Sequence, residues 1–421
     1  MDRRQFMASA AATAWAASAM AHAKKVKSPN ERIGVGLIGC GGRGGAHLAA
    51  LKEMAERDGT VEIVALCDVY RPRIEKTIEK FGFKKVKKYM DHRELLADKR
   101  VDMVTIATPD HHHGHQAMDA LKAGKHVYCE KPVTHWRQFG VIKELAKVAA
   151  ESNAIFQLGT QGMSDTAWHQ IEKLVKDGAI GQPIHAECGF FRTGDWGERG
   201  MPIDDPNAKP GRDLNWEAFL GDAPKRDFDV SRLFRWRMYE DYAGGPVTDL
   251  FPHSLTPVLH ILGVKMPSKV VATGGMWRYT EREVPDTFNM LIDYPEKITV
   301  AVLGTQGNDY QATGGRGAGM RIPVIRGWDA SLTIKENEIV LIPTDESKKA
   351  GKEEQKFAIE HGENTLFHMR NLVHCAQTGN RNPDSPADLA YHTQTALIMG
   401  MQSLREGKVV KFDAGKEEPV V

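Results

Sequence analysis

The chain has 421 residues, a length that suggests two or three domains rather than one. Hydrophobic residues make up 41% of it and charged residues 26%, the ordinary balance of a globular protein. The net charge of +1 gives no support to a nucleic-acid or acidic-membrane partner. Because the five cysteines show no Cys-x-x-Cys pair, neither a disulfide framework nor a metal site is expected.

The first 23 residues have the features of an export signal. Arg3-Arg4 precedes an Ala-rich apolar stretch that ends in Ala21-His22-Ala23, a cleavage site of the A-x-A type. The twin arginine indicates the pathway that exports folded proteins, so a periplasmic location is predicted. A membrane anchor is the alternative, but the apolar run is shorter than about 18 residues. Residues 24–30 are predicted to be a linker, and no membrane span is expected after processing.

Strands alternate with helices over residues 31–158. The predicted strands are apolar runs at 33–39, 61–67, 101–107, 125–129 and 154–158. Helices are expected between them, including one over 137–151. This alternation is typical of a doubly wound parallel sheet, and therefore of an α/β domain.

A glycine-rich turn follows the first predicted strand. Gly39, Gly41 and Gly44 match G-x-G-x-x-G, with Gly42 and Arg43 inside the same turn. The first glycine permits a tight turn, the second lets the backbone approach a pyrophosphate, and the third allows close helix–strand packing. These residues are therefore predicted to bind a dinucleotide in a Rossmann domain over 31–158.

The end of the second predicted strand carries a carboxylate. Asp68 lies 24 residues after Gly44, about where an acidic residue meets the ribose hydroxyls of NAD. The alternative is that Asp68 caps the helix that starts near Arg71. Arg71 and Arg73 could accept a 2′-phosphate, so NAD is predicted with NADP left open.

Two further segments follow strands of the same sheet. The first, Thr108-Pro109-Asp110, leads into His111, His112, His113 and His115, and opens a helix with Asp110 as its expected cap. Four histidines suggest a metal, but no Cys or Glu joins them at ligand spacing, so a structural or cofactor-side role is favoured. Of these residues, Thr108, Pro109 and His113 are predicted to contact the cofactor.

The second segment is Glu130-Lys131-Pro132. It ends a predicted parallel strand, and open α/β sheets bind ligands at the carboxyl ends of their strands. Glu130 and Lys131 are therefore predicted to lie at the cofactor, with a surface salt bridge as the alternative.

The pattern changes after residue 158. A helix (167–176) and a long strand (184–191) precede a loop-rich region, and strands then follow one another without helices at 268–279, 286–294, 297–304, 330–335 and 338–342. Tyr294-Pro295-Glu296-Lys297 is predicted to be a hairpin turn. The glycine-rich segment 304–319 is interpreted as a lid or as disorder. Residues 159–421 are thus predicted to form an α+β domain with a mostly antiparallel sheet, ending in a helix over about 386–405.

Asp249 and His253 are the main candidates for chemistry in this second half. They are four residues apart, which places them on one face of a predicted helix. Oxidation of a carbinol requires a group that accepts the hydroxyl proton and a group that stabilises the developing alkoxide. His253 could act as acid and base, with Asp249 orienting it or contacting substrate. The alternative is an ordinary polar pair.

Together these motifs resemble the Gfo/Idh/MocA oxidoreductases, a family that includes glucose–fructose oxidoreductase and inositol dehydrogenase. The resemblance rests on the glycine loop, Cys67-Asp68, residues 108–113, Ala123-Gly124-Lys125-His126-Val127 with Glu130-Lys131-Pro132, and Gly244-Gly245 with Asp249 and His253. It implies a Rossmann domain plus a large open-faced sheet that often packs against another subunit, hence a homo-oligomer.

The resemblance also implies residue roles. Lys131 would contact the reacting hydroxyl and the nicotinamide side, His253 would exchange the proton, and Asp249 would bind substrate beside it. Family members often continue the histidine as H-x-x-D, whereas this chain has Thr256. Arg235, Trp236, Arg237 and Tyr242 are predicted to line the substrate pocket, with core or surface positions as the alternative.

The predicted function is NAD(P)-dependent oxidation of a sugar or polyol hydroxyl. Because free nicotinamide cofactor is not expected to be replenished outside the cytosol, a tightly held cofactor recycled by a second substrate is predicted. One alternative is a redox-neutral glycoside hydrolase that oxidises, eliminates, hydrates and reduces again, and another is a non-catalytic sensor. Lys131 favours the oxidoreductase, because exported glycosidase relatives often depart from Glu-Lys-Pro.

Overall fold

A computed structural model describes residues 32–194 and 201–421. The predicted leader (1–23) and linker (24–30) lie outside the described residues. Two β-sheets organise the rest of the chain. In the described ranges, no helix has both the length and the apolar character that crossing a membrane requires.

The first sheet has six parallel strands in the order β3-β2-β1-β4-β5-β6. They are β1 (Ile33–Ile38), β2 (Val61–Cys67), β3 (Lys87–Tyr89), β4 (Met103–Ile106), β5 (His126–Glu130) and β6 (Phe156–Gly159). The strand order reverses between β1 and β4, which opens a crevice at their carboxyl ends. The predicted doubly wound sheet is confirmed.

Helices cover both faces of this sheet, which is why its strands are continuous apolar runs. They are α1 (Gly42–Glu53), α2 (Arg71–Phe81), α3 (His92–Leu96), α4 (Asp110–Lys122) and α5 (Phe139–Glu151). A π-helical turn (Met54–Asp58) extends α1. Val35 and Leu37 of β1 are fully buried, so the sheet forms the centre of this domain.

The second sheet has thirteen strands, of which ten follow the order β17-β16-β15-β14-β7-β10-β9-β8-β18-β19. Its strands are β7 (Pro183–Thr193), β8 (Lys269–Gly275), β9 (Thr287–Tyr294), β10 (Ile298–Thr305), β11 (Gly307–Asn308), β12 (Gly315–Arg316), β13 (Met320–Arg321), β14 (Val324–Gly327), β15 (Ala330–Lys335), β16 (Glu338–Pro343), β17 (Gln355–Ala358), β18 (Val410–Asp413) and β19 (Glu418–Val420). Within this second sheet, β7 and β10 are the only described strands that pair in parallel, so the predicted mostly antiparallel sheet is confirmed. The predicted hairpin turn joins β9 to β10, with Lys297 at φ 63°.

The glycine-rich segment 304–319 was interpreted as a lid or as disorder, and the structure shows ordered backbone there. It contributes the short strands β11 and β12, and β12 pairs with β13. Gly317 has φ 56°, and a Cβ there would lie 2.0 Å from a carboxylate oxygen of Glu363. Because any side chain at position 317 would clash with Glu363, the glycine allows this close packing.

Eight helices belong to the chain after residue 159 in the described ranges. They are α6 (Thr166–Lys176), α7 (Trp216–Leu220), α8 (Val230–Phe234), α9 (Pro246–Asp249), α10 (Phe251–Leu262), α11 (Asp345–Lys349), α12 (Thr365–Thr378) and α13 (Ala387–Glu406). α10 and α13 pack against one face of the large sheet, where Phe288, Ile292 and Val300 are buried. The opposite face is open, since Val271 and Leu291 are 43% and 49% exposed.

The last helices return to the first domain. α12 packs against α1, and its Met369 and Leu372 share a core with Leu51 and Tyr128. α13 packs against α5. The last two helices therefore join the second domain to the first, because the apolar side of α12 is buried on the Rossmann sheet.

Candidate active site

A cleft of about 440 Å³ lies at the carboxyl ends of β1, β2, β4 and β5. Its walls include Gly39, Asp68, Thr108 and Lys131 from the first domain and Trp236 from the second. A cavity of this size at the reversal point of a parallel sheet is where such folds bind their ligands. The cofactor residues predicted from separate stretches of sequence thus share one cleft.

The glycine loop has the backbone that a pyrophosphate requires. Gly39 has φ 94°, and a Cβ there would lie 2.6 Å from the carbonyl oxygen of Ala107. A Cβ at Gly44 would lie 2.0 Å from the carbonyl oxygen of Gly39, so helix and strand pack too closely for any side chain. At Gly41 and Gly42 a Cβ would meet no described atom within 4 Å, so the loop is open where α1 begins. This cradle fits a dinucleotide, whose pyrophosphate the first N–H groups of α1 can bind.

Asp68 lines the cleft and is hydrogen-bonded to the glycine loop. Its carboxylate accepts hydrogen bonds from the backbone N–H of Cys40 (2.8 Å) and of Tyr70 (2.9 Å). The helix-cap alternative for Asp68 is wrong, because α2 begins at Arg71 with Tyr70 in the cap position. The predicted contact of Asp68 with a ribose stays a prediction.

Glu130 ties the loop to the sheet rather than pointing to solvent. One of its oxygens, Oε1, accepts hydrogen bonds from Arg43 Nε (2.6 Å), His47 Nε2 (2.9 Å) and Gln161 Nε2 (3.0 Å). Burial alone would raise the pKa of Glu130, but the Arg43 cation and the His47 hydrogen bond outweigh it and hold the pKa well below its usual range. The alternative of a surface Glu130–Lys131 salt bridge is therefore wrong: Glu130 is a buried anchor, and Lys131 pairs elsewhere.

Lys131 reaches across to the second domain. Its Nζ donates to Asp249 Oδ1 (3.0 Å) and to the main-chain carbonyl of Asp249. Asp249 Oδ1 also accepts a hydrogen bond from Arg237 Nε at 3.2 Å. Burial opposes ionisation of Asp249, yet Lys131 and Arg237 outweigh it and hold its pKa well below the usual range. The pair is thus a buried ion pair beside the cofactor cleft.

His253 is placed differently from the prediction. Asp249 and His253 do not share one helix: α9 ends at Asp249, Leu250 has φ −112°, and α10 begins at Phe251. Pro252 is suited to the first turn of the new helix, where an N–H is dispensable. Asp249 consequently orients Lys131, whereas His253 Nδ1 is buried and has no hydrogen-bond partner among the described residues. Burial and the Lys131 cation lower the pKa of His253 to about 3, so its imidazole is neutral at pH 7.

Asp110 is a site residue that the sequence analysis misassigned. Pro109 occupies the cap position of α4, and Asp110 is the first helical residue, only 2% exposed. Burial raises the pKa of Asp110 to about 7, although the Arg237 and Lys131 cations lower it and the Asp249 carboxylate raises it further. Its position directly after β4, at the same sheet edge as Lys131, is the signal that could have identified it.

The histidines at the start of α4 are held by main-chain carbonyls. His111 Nε2 and His112 Nε2 lie 2.8 and 2.7 Å from the carbonyl oxygen of Phe219. His113 lies between the carbonyl oxygens of Pro132 (2.6 Å) and Thr108 (2.7 Å). These contacts are those of a structural role, since they tie the start of α4 to the backbone at residues 108, 132 and 219.

The four predicted substrate residues separate in the structure. Trp236 and Arg237 both line the cleft, and the guanidinium of Arg237 stacks on the Trp236 ring at 4.2 Å. Arg235 instead donates to the carbonyl of Met201 at 3.3 Å. Tyr242 is fully buried among aromatic side chains, so it belongs to the core and not to a substrate pocket.

Comparisons with known proteins agree with this architecture. The sequence profile described as an oxidoreductase family with an NAD-binding Rossmann fold matches residues 33–160, and the profile of the C-terminal alpha/beta domain matches residues 164–382. Inositol 2-dehydrogenase of Salmonella typhimurium (strain LT2) is 32% identical over 151 residues, which are 35% of this chain and 43% of the relative. The chain thus aligns with less than half the length of that curated relative.

Solved structures extend the likeness to the whole fold. Levoglucosan dehydrogenase, in complex with NADH and levoglucosan, superimposes with a TM-score of 0.68 at 18% identity, covering 90% of this chain and 99% of that one. An aldose–aldose oxidoreductase from Caulobacter crescentus, complexed with glycerol, gives 0.65 at 19% identity with the same coverage. Since the two profiles together match most of the described chain, the protein belongs to the Gfo/Idh/MocA oxidoreductase family and carries its NAD-binding Rossmann domain.

Proposed function

We propose that this protein oxidises a hydroxyl group of a sugar or polyol with NAD as the hydride acceptor. The observation that carries the proposal is the contact of Lys131, which lines the cleft, with Asp249, together with the neutral imidazole of His253 within electrostatic reach of Lys131. The relatives' names support the substrate class, since they are an inositol dehydrogenase, a levoglucosan dehydrogenase and an aldose–aldose oxidoreductase.

Each polar group has a separate task in this proposal. Bound NAD supplies the acceptor for the hydride that leaves the carbinol carbon. Lys131 Nζ stabilises the negative charge that develops on the substrate oxygen. His253 accepts the hydroxyl proton, since its imidazole is neutral at pH 7. Asp249 keeps Lys131 in place through the buried ion pair.

The contacts around Asp68 favour NAD over NADP. Arg73, which could hold a 2′-phosphate, stacks over Phe234 at 4.9 Å and lies 3.6 Å from the Asp204 carboxylate. Arg71 pairs with Asp213 at 3.1 Å. Both arginines are therefore engaged by carboxylates, and a 2′-phosphate would meet the negative charge of Asp204 and Asp68 as well.

Residues 201–222, which we call the strap, support retention of the cofactor. On one wall of the cleft, Asn215 N donates to the Val69 carbonyl (3.0 Å) and Tyr70 Oη donates to Asp205 (2.6 Å). On the other wall, the Phe219 carbonyl accepts from His111 and His112. The strap thus joins the β2–α2 turn to α4 across the adenosine end of the cleft. A ligand beneath it leaves only after these contacts break.

Retention also fits export, which we propose to be periplasmic through the twin-arginine pathway. Replacing the pair with lysine (Arg3→Lys with Arg4→Lys) is expected to leave residues 1–23 uncleaved and the protein in the cytoplasm. The native chain should be found in the periplasm with residue 24 at its N-terminus, as measured by fractionation and intact mass. Equal export of both forms would contradict the proposed route.

The oligomer is also proposed, through the open face of the large sheet. Val271, Leu291 and Ala301 are cross-strand neighbours there, and the first two are close to half exposed. An apolar row at the centre of an uncovered sheet is suited to pairing with a second copy.

One experiment tests the central proposal. Protein is purified without added nucleotide and divided into two samples. One sample is unfolded, and the released cofactor is identified by mass. The other, still folded and carrying its cofactor, is mixed with sugars, polyols and aryl glycosides while the nicotinamide absorbance is followed. We expect the first sample to release NAD or NADH. In the second sample we expect a sugar or polyol to reduce the bound NAD. Release of an aglycone without net cofactor reduction would overturn the proposal in favour of redox-neutral hydrolysis.

A lysine variant completes that test. Lys131→Met is expected to bind NAD but to lose turnover by about 10²–10³-fold, because the developing alkoxide loses its cation. The exposed Lys349→Met serves as the matched control and should behave like the native protein. Full turnover in Lys131→Met would contradict the assigned role.

A further inference from the structure

A cluster of metal-ligand side chains lies between α6 and α10, apart from the cofactor cleft. His169 and Glu172 are three residues apart on α6, and therefore lie on one face of that helix. His260 faces them from α10. One potential ligand atom from each of the three side chains lies within 4.8 Å of the other two. Two nitrogens and one oxygen thus converge from two packed helices.

Each side chain has an atom left over for a ligand. His169 Nε2 lies 2.9 Å from the Met163 carbonyl, which accepts only, so Nε2 carries the proton and Nδ1 keeps its lone pair. A carbonyl that holds the second ring nitrogen is the usual support of a metal-binding histidine. Glu172 Oε1 accepts from Lys176 at 2.6 Å, which leaves Oε2.

His260 is the least satisfied member of the cluster. Its Nε2 is buried without a hydrogen-bond partner among the described residues, and Glu172 Oε2 lies 3.5 Å away. The side chains of His260 and Glu172 are 22% and 19% exposed, which leaves an entry path for an ion.

We propose that His169, Glu172 and His260 bind a first-row divalent cation of the Zn²⁺ class, with solvent in the remaining position. Two imidazoles and one carboxylate form a ligand set that zinc accepts, whereas Mg²⁺ and Ca²⁺ prefer oxygen ligands. Because the ligands join α6 to α10, the ion fastens the helix whose first turn carries His253, seven residues from His260. The ion would therefore stabilise the packing of α6 against α10, and this proposal stands independently of the oxidoreductase proposal.

Zinc titration of the full chain, prepared without a histidine tag and treated with a chelator, tests the site. We expect one Zn²⁺ per chain by calorimetry, a visible spectrum of low-symmetry Co²⁺ on substitution, and a higher Tm with Zn²⁺ but not with Mg²⁺. His260→Ala and Glu172→Gln should each weaken Zn²⁺ binding at least tenfold. Glu172→Gln nearly preserves shape and so keeps the test valid if His260→Ala folds poorly.

Two controls decide whether this cluster is the ligand set. His374→Ala removes an exposed histidine of α12 and should leave Zn²⁺ affinity unchanged. His115→Ala probes the histidine-rich start of α4 and should also have no effect. The proposal is overturned if Zn²⁺ binds His260→Ala and Glu172→Gln as tightly as the native chain, if only His115→Ala loses binding, or if no Zn²⁺ binds.

Discussion

At the scale of single residues, the site is organised by charges that are buried close together. Lys131, Arg237, Asp110 and Asp249 lie within electrostatic reach of one another, and their side chains are mostly shielded from solvent. Interactions between charges are strong there, because little water screens them. Each titratable group therefore has a pKa that reports its neighbours, which makes single substitutions informative.

The histidine of the site should be needed for proton transfer and not for cofactor binding. His253→Gln removes the neutral imidazole that would accept the hydroxyl proton, so we expect turnover to fall by about 10²–10⁴-fold. The NAD dissociation constant should change little. Steady-state rates and equilibrium titration measure the two quantities. His374→Gln is the matched control, and a His253→Gln rate within about threefold of native would contradict the role.

Asp110 predicts a pH dependence of stability. Its pKa is about 7 in the fold and 3.8 ordinarily, so the fold binds this proton more tightly than the unfolded chain does. Its contribution to stability is present below pH 4 and is lost as the pH rises through 7. Asp110→Asn cannot ionise and should therefore gain stability relative to native at pH 8, by up to about 4 kcal/mol.

Thermal unfolding at pH 5.5 and pH 8 measures this effect. The Tm difference between Asp110→Asn and the native chain should be larger at the higher pH. Asp345→Asn, at a side chain that is 93% exposed, should give the same difference at both. A difference for Asp110→Asn that does not change with pH would show that its carboxyl titrates normally.

At the scale of elements, we expect the strap to control how fast the cofactor leaves. Residues 201–222 bridge the two walls of the cleft largely through main-chain groups, and Tyr70 Oη is one side chain that holds them. Burial and the Asp205 carboxylate raise the pKa of Tyr70 to about 12, so the phenol stays protonated and donates. Loosening this contact should loosen the strap without touching the glycine loop.

Tyr70→Phe is therefore expected to speed NAD release about fivefold, which corresponds to one hydrogen bond worth about 1 kcal/mol. Stopped-flow displacement of bound NADH, followed by fluorescence, measures the rate. Tyr310→Phe changes a tyrosine that is 77% exposed and should leave release unchanged. If Tyr70→Phe releases NADH at the native rate, the strap does not limit dissociation.

At the scale of the whole molecule, the C-terminal helices pack against the first domain, and one face of the second sheet stays uncovered. α12 and α13 return to the Rossmann domain, which fastens the two sheets to each other. The open face carries Val271 and Leu291 at 43% and 49% exposure. A face of this kind is expected to find a second copy.

Leu291→Arg places a charge in the middle of that face. We expect it to convert an oligomer into a monomer, because an unpaired buried charge costs more than the interface can supply. Size-exclusion chromatography with light scattering measures the mass. Phe367→Arg, at a residue of α12 that is 38% exposed, should keep the native mass. A native chain that is already monomeric would refute the proposed interface.

Local sequence determined much of the fold and part of the site. The strands of the first sheet are recognisable because burial on both faces demands continuous apolar runs, and 61–67 is a strand in prediction and structure alike. Gly39 and Gly44 are required by backbone geometry, which is a local property. Lys131 was placed at the site because it directly follows a parallel strand.

Only the tertiary structure decided which groups meet. Asp249 binds Lys131 from 118 residues away and leaves His253 free, although helical spacing alone predicted an Asp249–His253 pair. Local sequence predicted Asp110 as a helix cap, whereas in the fold it is buried within electrostatic reach of Arg237. The physical reason is the distance along the chain over which each interaction acts. The conformation of a short motif depends on its own residues, whereas charge pairing and burial depend on distant segments that folding brings together.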